Sequence, residues 1–247
     1  MEIKNENFKA LIQSCKEGDY IGQGNPDSKI LIIGKESSID NETQKQLEIG
    51  NNWKQWQNDE LENGYHPRYC YKHITTRFGE GQRFLIAPKN GGTSATCYVY
   101  QKLINAIYPD VAVKKNEVLN FFDHCFITEL SAVSRSNNNK LEDDDIKATA
   151  KSIKERTSLL SSAFYRSFPV VILFCGHYPK QYDINIEEMF DVKWESPTKD
   201  FELANKKGWY NIHYSEDKQR IVIHTWQASA FVKNKEEHVQ DFFNKII

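Results

Sequence analysis

Four short runs of apolar residues, each ending abruptly in polar or small residues, constrain the fold of this chain most. They read KILII at residues 29–33, CFIT at 125–128, VVILFC at 170–175 and IVIH at 221–224. Such runs are typical of strands that are buried on both faces of a sheet. Helical patterns long enough for crossover connections separate the runs, which favours parallel strands. We therefore predict a three-layer α/β/α fold with a four-stranded, mainly parallel central sheet.

Residues with polar, potentially reactive side chains lie at the ends of the first and last runs. Glu36 and Ser37 follow the first run, His224 ends the last one, and Ser229 comes shortly after it. In open α/β sheets, ligands bind just beyond the carboxyl ends of the strands. The sequence therefore predicts a site at that edge, provided that both strands run parallel in one sheet.

Composition sets broad limits on the class of protein. The 247 residues suffice for one α/β domain, and we expect a single domain, 1–247, with an aromatic-rich insertion at about 39–80. A net charge of -2 gives no global basic surface, which neither supports nor excludes a nucleic-acid partner. No apolar run approaches the length that crosses a membrane, so we expect no membrane partner.

The cysteines and histidines predict neither a disulfide framework nor a metal site. The five cysteines are scattered and form no CxxC pair, and the segment HPRYCYKH at residues 66–73 does not follow a known ligand spacing. We expect no secretory signal, because the amino terminus shows no basic region followed by an apolar run. We therefore expect a cytoplasmic monomer with reduced thiols and with no metal or other cofactor.

Three segments together resemble the uracil-DNA glycosylase superfamily. The first strand of that family ends in a Gly-led motif such as GQDPYH or GEAPG, and GKESS stands at residues 34–38 here. The last strand of the family ends in a motif of the form HPSPLS, and HTWQAS stands at residues 224–229. GQRF at residues 81–84 is similar to the G-R-P-F segment that supplies a stacking aromatic in some branches.

The resemblance implies a set of site residues. The catalytic pair is Glu36 and His224; the substrate-binding residues are Gly34, Ser37, Phe84, Glu129 and Ser229. A carboxylate at Glu36 suits the developing positive charge on a sugar or the orientation of a water. A hydrogen-bond donor at His224 suits the negative charge on a departing base. Phe84 would stack on a flipped base, and Ser229 would hold a phosphate.

Several positions depart from the family pattern. Glu36 stands where GQDPYH has Asp, and Lys35 stands where GEAPG has Glu. Glu129 replaces the Asn that reads uracil, and Ala228 replaces the Leu that wedges into the duplex. An ionised Glu can only accept hydrogen bonds, whereas uracil needs a donor and an acceptor. We therefore expect weak or absent uracil excision. A Glu129 that burial keeps neutral could instead imitate the Asn, and a third alternative is a pocket that does not read uracil at all.

Each candidate also has a purely structural interpretation. Glu36 could cap a helix or face solvent, and His224 could be a core histidine that donates to a backbone carbonyl. Phe84 could belong to the core, and Ser229 could be the N-cap of a helix. The aromatic segment 53–78 could line a groove for single-stranded nucleic acid or fill a small core of its own, and we favour the core.

Two classes of function follow. The first is a DNA glycosylase-like enzyme that hydrolyses the N-glycosidic bond of a modified or mismatched base, with damaged or single-stranded DNA as its partner. The alternative is a non-catalytic member of the same fold that binds nucleic acid or a nucleotide-like ligand. A serine hydrolase is disfavoured because the sequence has no GxSxG motif. A pocket that Glu36 and His224 share, with Glu129 and Phe84 on its walls, would favour the enzyme.

Overall fold

The four apolar runs form adjacent parallel strands at the centre of one sheet. The structure is a computed structural model. It describes residues 3–36, 38–39, 52–54, 56–57, 85, 94–133, 135–136, 143–203, 206–231 and 242. The central strands are β2 (Ile30–Gly34), β4 (Phe126–Glu129), β6 (Val170–Leu173) and β10 (Ile221–Thr225). Their spatial order is β4-β2-β6-β10, and each neighbouring pair is parallel. The α/β class that the sequence predicts is therefore confirmed.

Within the described residues, the sheet has eight strands rather than the predicted four. The added strands are β1 (Gln23–Gly24), β7 (Lys193–Trp194), β8 (Lys199–Leu203) and β9 (Lys206–Tyr214), and all of them pair antiparallel. A separate parallel pair joins β3 (Ser38–Ile39) to β5 (Arg135–Ser136). The added strands lie towards the edges of the sheet and carry no continuous apolar run, because an edge strand is not buried on both faces.

Helices cover both faces of the sheet. They are α1 (Glu6–Ser14), α2 (Ala95–Ile107), α3 (Phe121–His124), α4 (Asp143–Leu160), α5 (Ala163–Arg166), α6 (Tyr178–Gln181) and α7 (Ile186–Phe190). Two 3-10 turns, Pro109–Val111 and Ala228–Phe231, complete the described elements. Helix α2 begins at its N-cap Ser94, whose hydroxyl accepts from the backbone N–H of Cys97.

Alternation along the strands builds two separate cores. Leu31 and Ile33 pack with Phe8 and Phe164 on the face that α1 and α5 cover. The intervening residues of β2, Ile30 and Ile32, pack on the other face with side chains of α2. Because successive side chains of a strand point to opposite faces, both faces of a central strand need an apolar cover. The result is a helix–sheet–helix layering.

The aromatic-rich insertion lies mostly outside the described residues. Its described part packs on the amino-terminal segment: Asn52 Nδ2 and Trp56 Nε1 both donate to the carbonyl of Gly22, at 3.0 and 2.8 Å. The ring of Trp56 meets that of Phe8 edge-on, with centroids 4.9 Å apart. Trp56 therefore contributes to the core on the α1 face, and Asn52 is buried beside it.

The strand order creates a switch point at the carboxyl edge. The chain passes from β2 outward to β4 and then returns across β2 to β6, so the connections after β2 and β6 leave the sheet in different directions. In doubly wound sheets, a crevice opens at such a reversal, and ligands bind there. Here the switch point lies between the residues that follow Gly34 and those that follow Leu173.

Candidate functional site

The side chain of Glu36 lies at the switch point and is held by a residue from the far side of it. Glu36 follows β2, and its Oε2 accepts a hydrogen bond of 2.6 Å from the hydroxyl of Tyr178, which opens α6 after β6. Tyr178 is only 5% exposed, whereas Glu36 is half-buried. Hydrogen bonds to a carboxylate are short and strong. The bond therefore fixes one face of the Glu36 carboxylate and leaves the side chain partly open to solvent.

Lys35 brings a positive charge to the same place. Its Nζ lies 4.6 Å from the centroid of the Tyr178 ring, so the ammonium and the ring form a cation–π contact. Gly176 has φ +55°, and a Cβ added there would meet Cε of Lys35 at 3.5 Å. Tyr178 thus contacts the carboxylate of Glu36 through its hydroxyl and the ammonium of Lys35 through its ring.

His224 is buried at the end of β10 and donates to the same loop. Its Nε2 lies 2.7 Å from the carbonyl oxygen of Gly176. Because a carbonyl can only accept, Nε2 carries the proton of a neutral ring and Nδ1 is an acceptor. The pKa of His224 is lowered to about 4: burial has the largest effect, the bond to Gly176 opposes it, and the nearby His213 and His177 add to the lowering. The imidazole is therefore neutral at physiological pH.

Two aromatic residues that the sequence did not single out flank His224. Trp209 of β9 meets the imidazole edge-on, with ring centroids 4.9 Å apart and planes at 79°. The exposed ring of His177 lies tilted against Trp209 at 5.5 Å and 32°. These rings extend the site from the parallel centre of the sheet to its antiparallel edge.

Glu129 lies against the backbone of Gly34, on the face opposite to His224. Gly34 and Glu129 are paired across β2 and β4, and a Cβ added to Gly34 would lie 2.0 Å from Oε2 of Glu129. Strand alternation places both residues on the face of the sheet that α2 covers. Tyr100 of α2 lies on that face, and its pKa is raised by burial and, to a smaller extent, by the negative charge of Glu129. His224 shares the other face with Val222. The two side chains can therefore meet a common ligand only at the carboxyl edge.

A buried arginine supports the end of β4. Arg156 of α4 donates from Nε to the carbonyl of Glu129 at 3.0 Å and from Nη2 to the hydroxyl of Thr128 at 2.8 Å. It also donates from Nη1 to the carbonyl of Tyr20, above whose ring its guanidinium lies. Three carbonyl and hydroxyl acceptors on two segments thereby hold the backbone of Glu129 in place.

The remaining predicted site residues are placed as follows. Ser229 is exposed within the 3-10 turn Ala228–Phe231. Ser229 is therefore not the N-cap of this turn, which already begins at Ala228, and the residues of a following helix lie outside the described residues. Ser37 and Phe84 lie outside the described residues. The backbone of the neighbouring Leu85 pairs with that of Glu117 at 2.9 Å.

Sequence reasoning missed Tyr178, Trp209 and the part played by Lys35. Tyr178 carried a usable signal, since it follows Gly176, which closes the third apolar run. Lys35 lies inside the first motif itself. Trp209 belongs to a segment that alternates polar and aromatic residues, and no feature of it indicated that it pairs with the last strand.

The described part of the chain shows neither a metal-binding cluster nor a membrane-spanning helix. It contains no group of three or more His, Cys, Asp or Glu side chains that could hold a metal ion. None of its helices is both long enough and apolar enough to cross a membrane. The described cysteines, Cys15, Cys97, Cys125 and Cys175, are free thiols.

No protein-family model matches this chain, and neither a curated protein nor a solved structure is significantly similar to it.

Proposed function

We propose that this protein is a divergent member of the uracil-DNA glycosylase superfamily, and that it hydrolyses the N-glycosidic bond of a modified or mismatched base in DNA. The observation that carries this proposal is the carboxylate of Glu36 at the switch point, held at 2.6 Å by the hydroxyl of Tyr178. Ligands bind at such points in doubly wound sheets, and a fixed carboxylate is what glycoside hydrolysis requires.

In the proposed reaction, Glu36 stabilises positive charge on the sugar and orients the attacking water. As the bond between C1′ of the sugar and the ring nitrogen breaks, its electron pair leaves with the base, and positive charge develops on the sugar. The carboxylate stabilises that charge and orients a water, whose oxygen bonds to C1′. One proton of the water passes to the carboxylate and then to solvent, and the departing base takes up a proton.

The other site residues bind the substrate in this proposal. The base leaves the stack and packs on Phe84, while Gly34 and Ser37 lie along the sugar and Ser229 holds a phosphate. Glu129 accepts a hydrogen bond from an amino group of the base, as carboxylates do from cytosine N4. Damaged or single-stranded DNA is the expected partner, since extruding a base is least costly there.

A second candidate function is favoured by one contact. The only N–H of the neutral His224 ring is donated to the carbonyl of Gly176. A histidine so engaged does not donate to a departing base. A non-catalytic protein of the same fold, which binds nucleic acid or a nucleotide-like ligand, would need no such donor.

We propose that the protein acts in the cytoplasm as a monomer without a cofactor. The proposal needs no metal, because a carboxylate and an oriented water suffice for glycosidic hydrolysis.

A panel of labelled oligonucleotides, each with one modified or mismatched base, separates the two candidates. Each is incubated with the protein in single-stranded and duplex form, and abasic sites are detected by alkaline cleavage. Binding is measured in parallel by fluorescence anisotropy. An enzyme produces abasic sites from at least one base; a binding protein retains an oligonucleotide without producing any. Absence of both would overturn the nucleic-acid function.

A further inference from the structure

Lys35 carries a charge that the family resemblance does not use. Its ammonium lies at the switch point, 4.6 Å from the ring centroid of Tyr178, and the side chain is half-buried. We propose that Lys35 binds the negative charge of a planar heterocyclic anion, the departing base, and that His224 instead positions the loop at Gly176. This proposal rests on the proposed function for the identity of the anion, but the binding itself does not require turnover.

The N–H of His224 is already engaged by a backbone carbonyl. Nε2 of His224 donates to the carbonyl of Gly176 at 2.7 Å, and the N–H of Gly176 donates to the carbonyl of Thr225 at 2.9 Å. These two bonds tie the loop after β6 to the end of β10. The imidazole therefore has a structural use for its proton, and a different donor is needed for an anion.

Lys35 is the cation closest to that loop among the contacts described. A Cβ on Gly176 would lie 3.5 Å from Cε and 3.7 Å from Nζ of Lys35, so the lysine stem follows the glycine backbone. The positive charge of Lys35 also acts on the buried Cys175: burial raises the pKa of that thiol, and Lys35 opposes the rise. Among the described residues, the titratable groups at this edge also include Glu36, Tyr178, Glu129, His177 and His224.

A lysine suits the chemistry of a departing base. When the glycosidic bond breaks, the electron pair delocalises over the ring nitrogen and its carbonyl oxygens. An ammonium donates charge-assisted hydrogen bonds to such oxygens and adds a full positive charge, which a neutral imidazole lacks. Lys35 keeps its proton throughout, and solvent water protonates the released base. In this arrangement Tyr178 lies between the Glu36 carboxylate, which acts on the sugar, and the Lys35 ammonium, which binds the base.

Free bases of matched shape test the proposal without turnover. At pH 7.5, 5-nitrouracil and urate are ionised, whereas thymine and hypoxanthine are neutral. Calorimetric titration compares the wild type with Lys35→Met, Lys35→Gln and Lys35→Arg. Lys180→Met is the matched control, since it removes one exposed lysine charge from α6. Circular dichroism selects the variants that fold.

The wild type is expected to bind at least one anion more tightly than its neutral counterpart. Removing the charge at Lys35 should weaken that anion at least about tenfold and the neutral base less than about threefold. Lys35→Arg and Lys180→Met should retain the affinity. Equal binding of anion and neutral base, no binding of either anion, or an anion affinity unchanged in Lys35→Met and Lys35→Gln would overturn the proposal.

The same variants separate this proposal from the enzymatic one. Lys35-dependent anion binding, with no base released from any oligonucleotide, would refute the glycosylase activity and support the Lys35 site. Base release that Lys35→Met leaves unchanged, with no Lys35-dependent binding, would refute the Lys35 site and leave the enzyme.

Discussion

The hydroxyl of Tyr178 donates a 2.6 Å hydrogen bond to Oε2 of Glu36, and so joins two residues that are 142 positions apart in the chain. One follows the first parallel strand and the other follows the third, on either side of the switch point. The contact is therefore a product of the strand order. It holds a carboxylate where the fold concentrates ligands.

Removing this hydroxyl should have a measurable effect on stability. Tyr178→Phe deletes the bond and keeps the ring that faces Lys35, so we expect a loss of roughly 1–2 kcal/mol in the free energy of unfolding in urea. Tyr210→Phe is the control, because the Tyr210 hydroxyl has no hydrogen-bond partner among the described residues. Equal effects of the two substitutions would show that the contact with Glu36 contributes nothing.

The centre of the fold was predictable because burial on both faces leaves a continuous apolar run in the sequence. β2 and β6 consist almost entirely of Ile, Leu and Val, and their parallel pairing follows from the helices between them. Glu36 and His224 were predictable for the same reason, since each lies at the end of such a strand.

The antiparallel edge was not predictable from such runs. In β9, Tyr210 and Ile212 point to one face while Trp209 and His213 point to the other, so the segment lacks the continuous apolar run that marks the central strands. Nothing local in this segment indicates that it pairs with β10. The same holds for Arg156, whose three acceptors lie on distant segments. Contacts of this kind depend on register and strand order, which a local pattern does not encode.

A double-mutant cycle tests the contact between Gly34 and Glu129. A Cβ at position 34 would lie 2.0 Å from Oε2 of Glu129, so the flexible carboxyl must move. We expect Gly34→Ala to cost about 1 kcal/mol in the wild type and close to nothing in Glu129→Ala. Urea unfolding of the four proteins gives the coupling free energy. An identical cost in both backgrounds would contradict the contact.

The lowered pKa of His224 predicts how stability depends on pH. Because the pKa is about 4 in the fold and about 6.5 in the unfolded chain, the unfolded state binds more protons between these values. The stability that burial of the neutral ring permits is complete above pH 6.5 and is lost as the pH falls towards 4. Between pH 7 and pH 5 we expect His224 to account for a loss of about 2 kcal/mol.

The comparison protein for this measurement is His224→Gln, which does not titrate and retains an amide donor for Gly176. Its urea-unfolding free energy should fall less steeply between pH 7 and pH 5 than that of the wild type. Some slope remains, because burial also lowers the pKa of His213. The exposed His177 supplies a control, His177→Gln. Parallel profiles for the wild type and His224→Gln would refute the buried neutral imidazole.

Glu129 predicts the base preference. Uracil excision by the wild type should be weak or absent, because an ionised carboxylate cannot donate to uracil and a lost pairing in a buried site costs several kcal/mol, on the order of a thousandfold in rate. Glu129→Asn should gain uracil excision from single-stranded oligonucleotides. Robust excision from duplex DNA by the wild type would mean that Glu129 does not read the base.

The single-turnover rate of base release by Glu36→Gln tests the proposed enzyme most directly. Wild type, Glu36→Gln and the exposed control Glu155→Gln are each mixed in excess with the single-stranded oligonucleotide that the wild type processes fastest. Losing the carboxylate should slow abasic-site formation by on the order of a hundredfold or more, while Glu155→Gln keeps the wild-type rate. A Glu36→Gln rate within about twofold of the wild type would contradict the role of Glu36 and, with it, the proposed site.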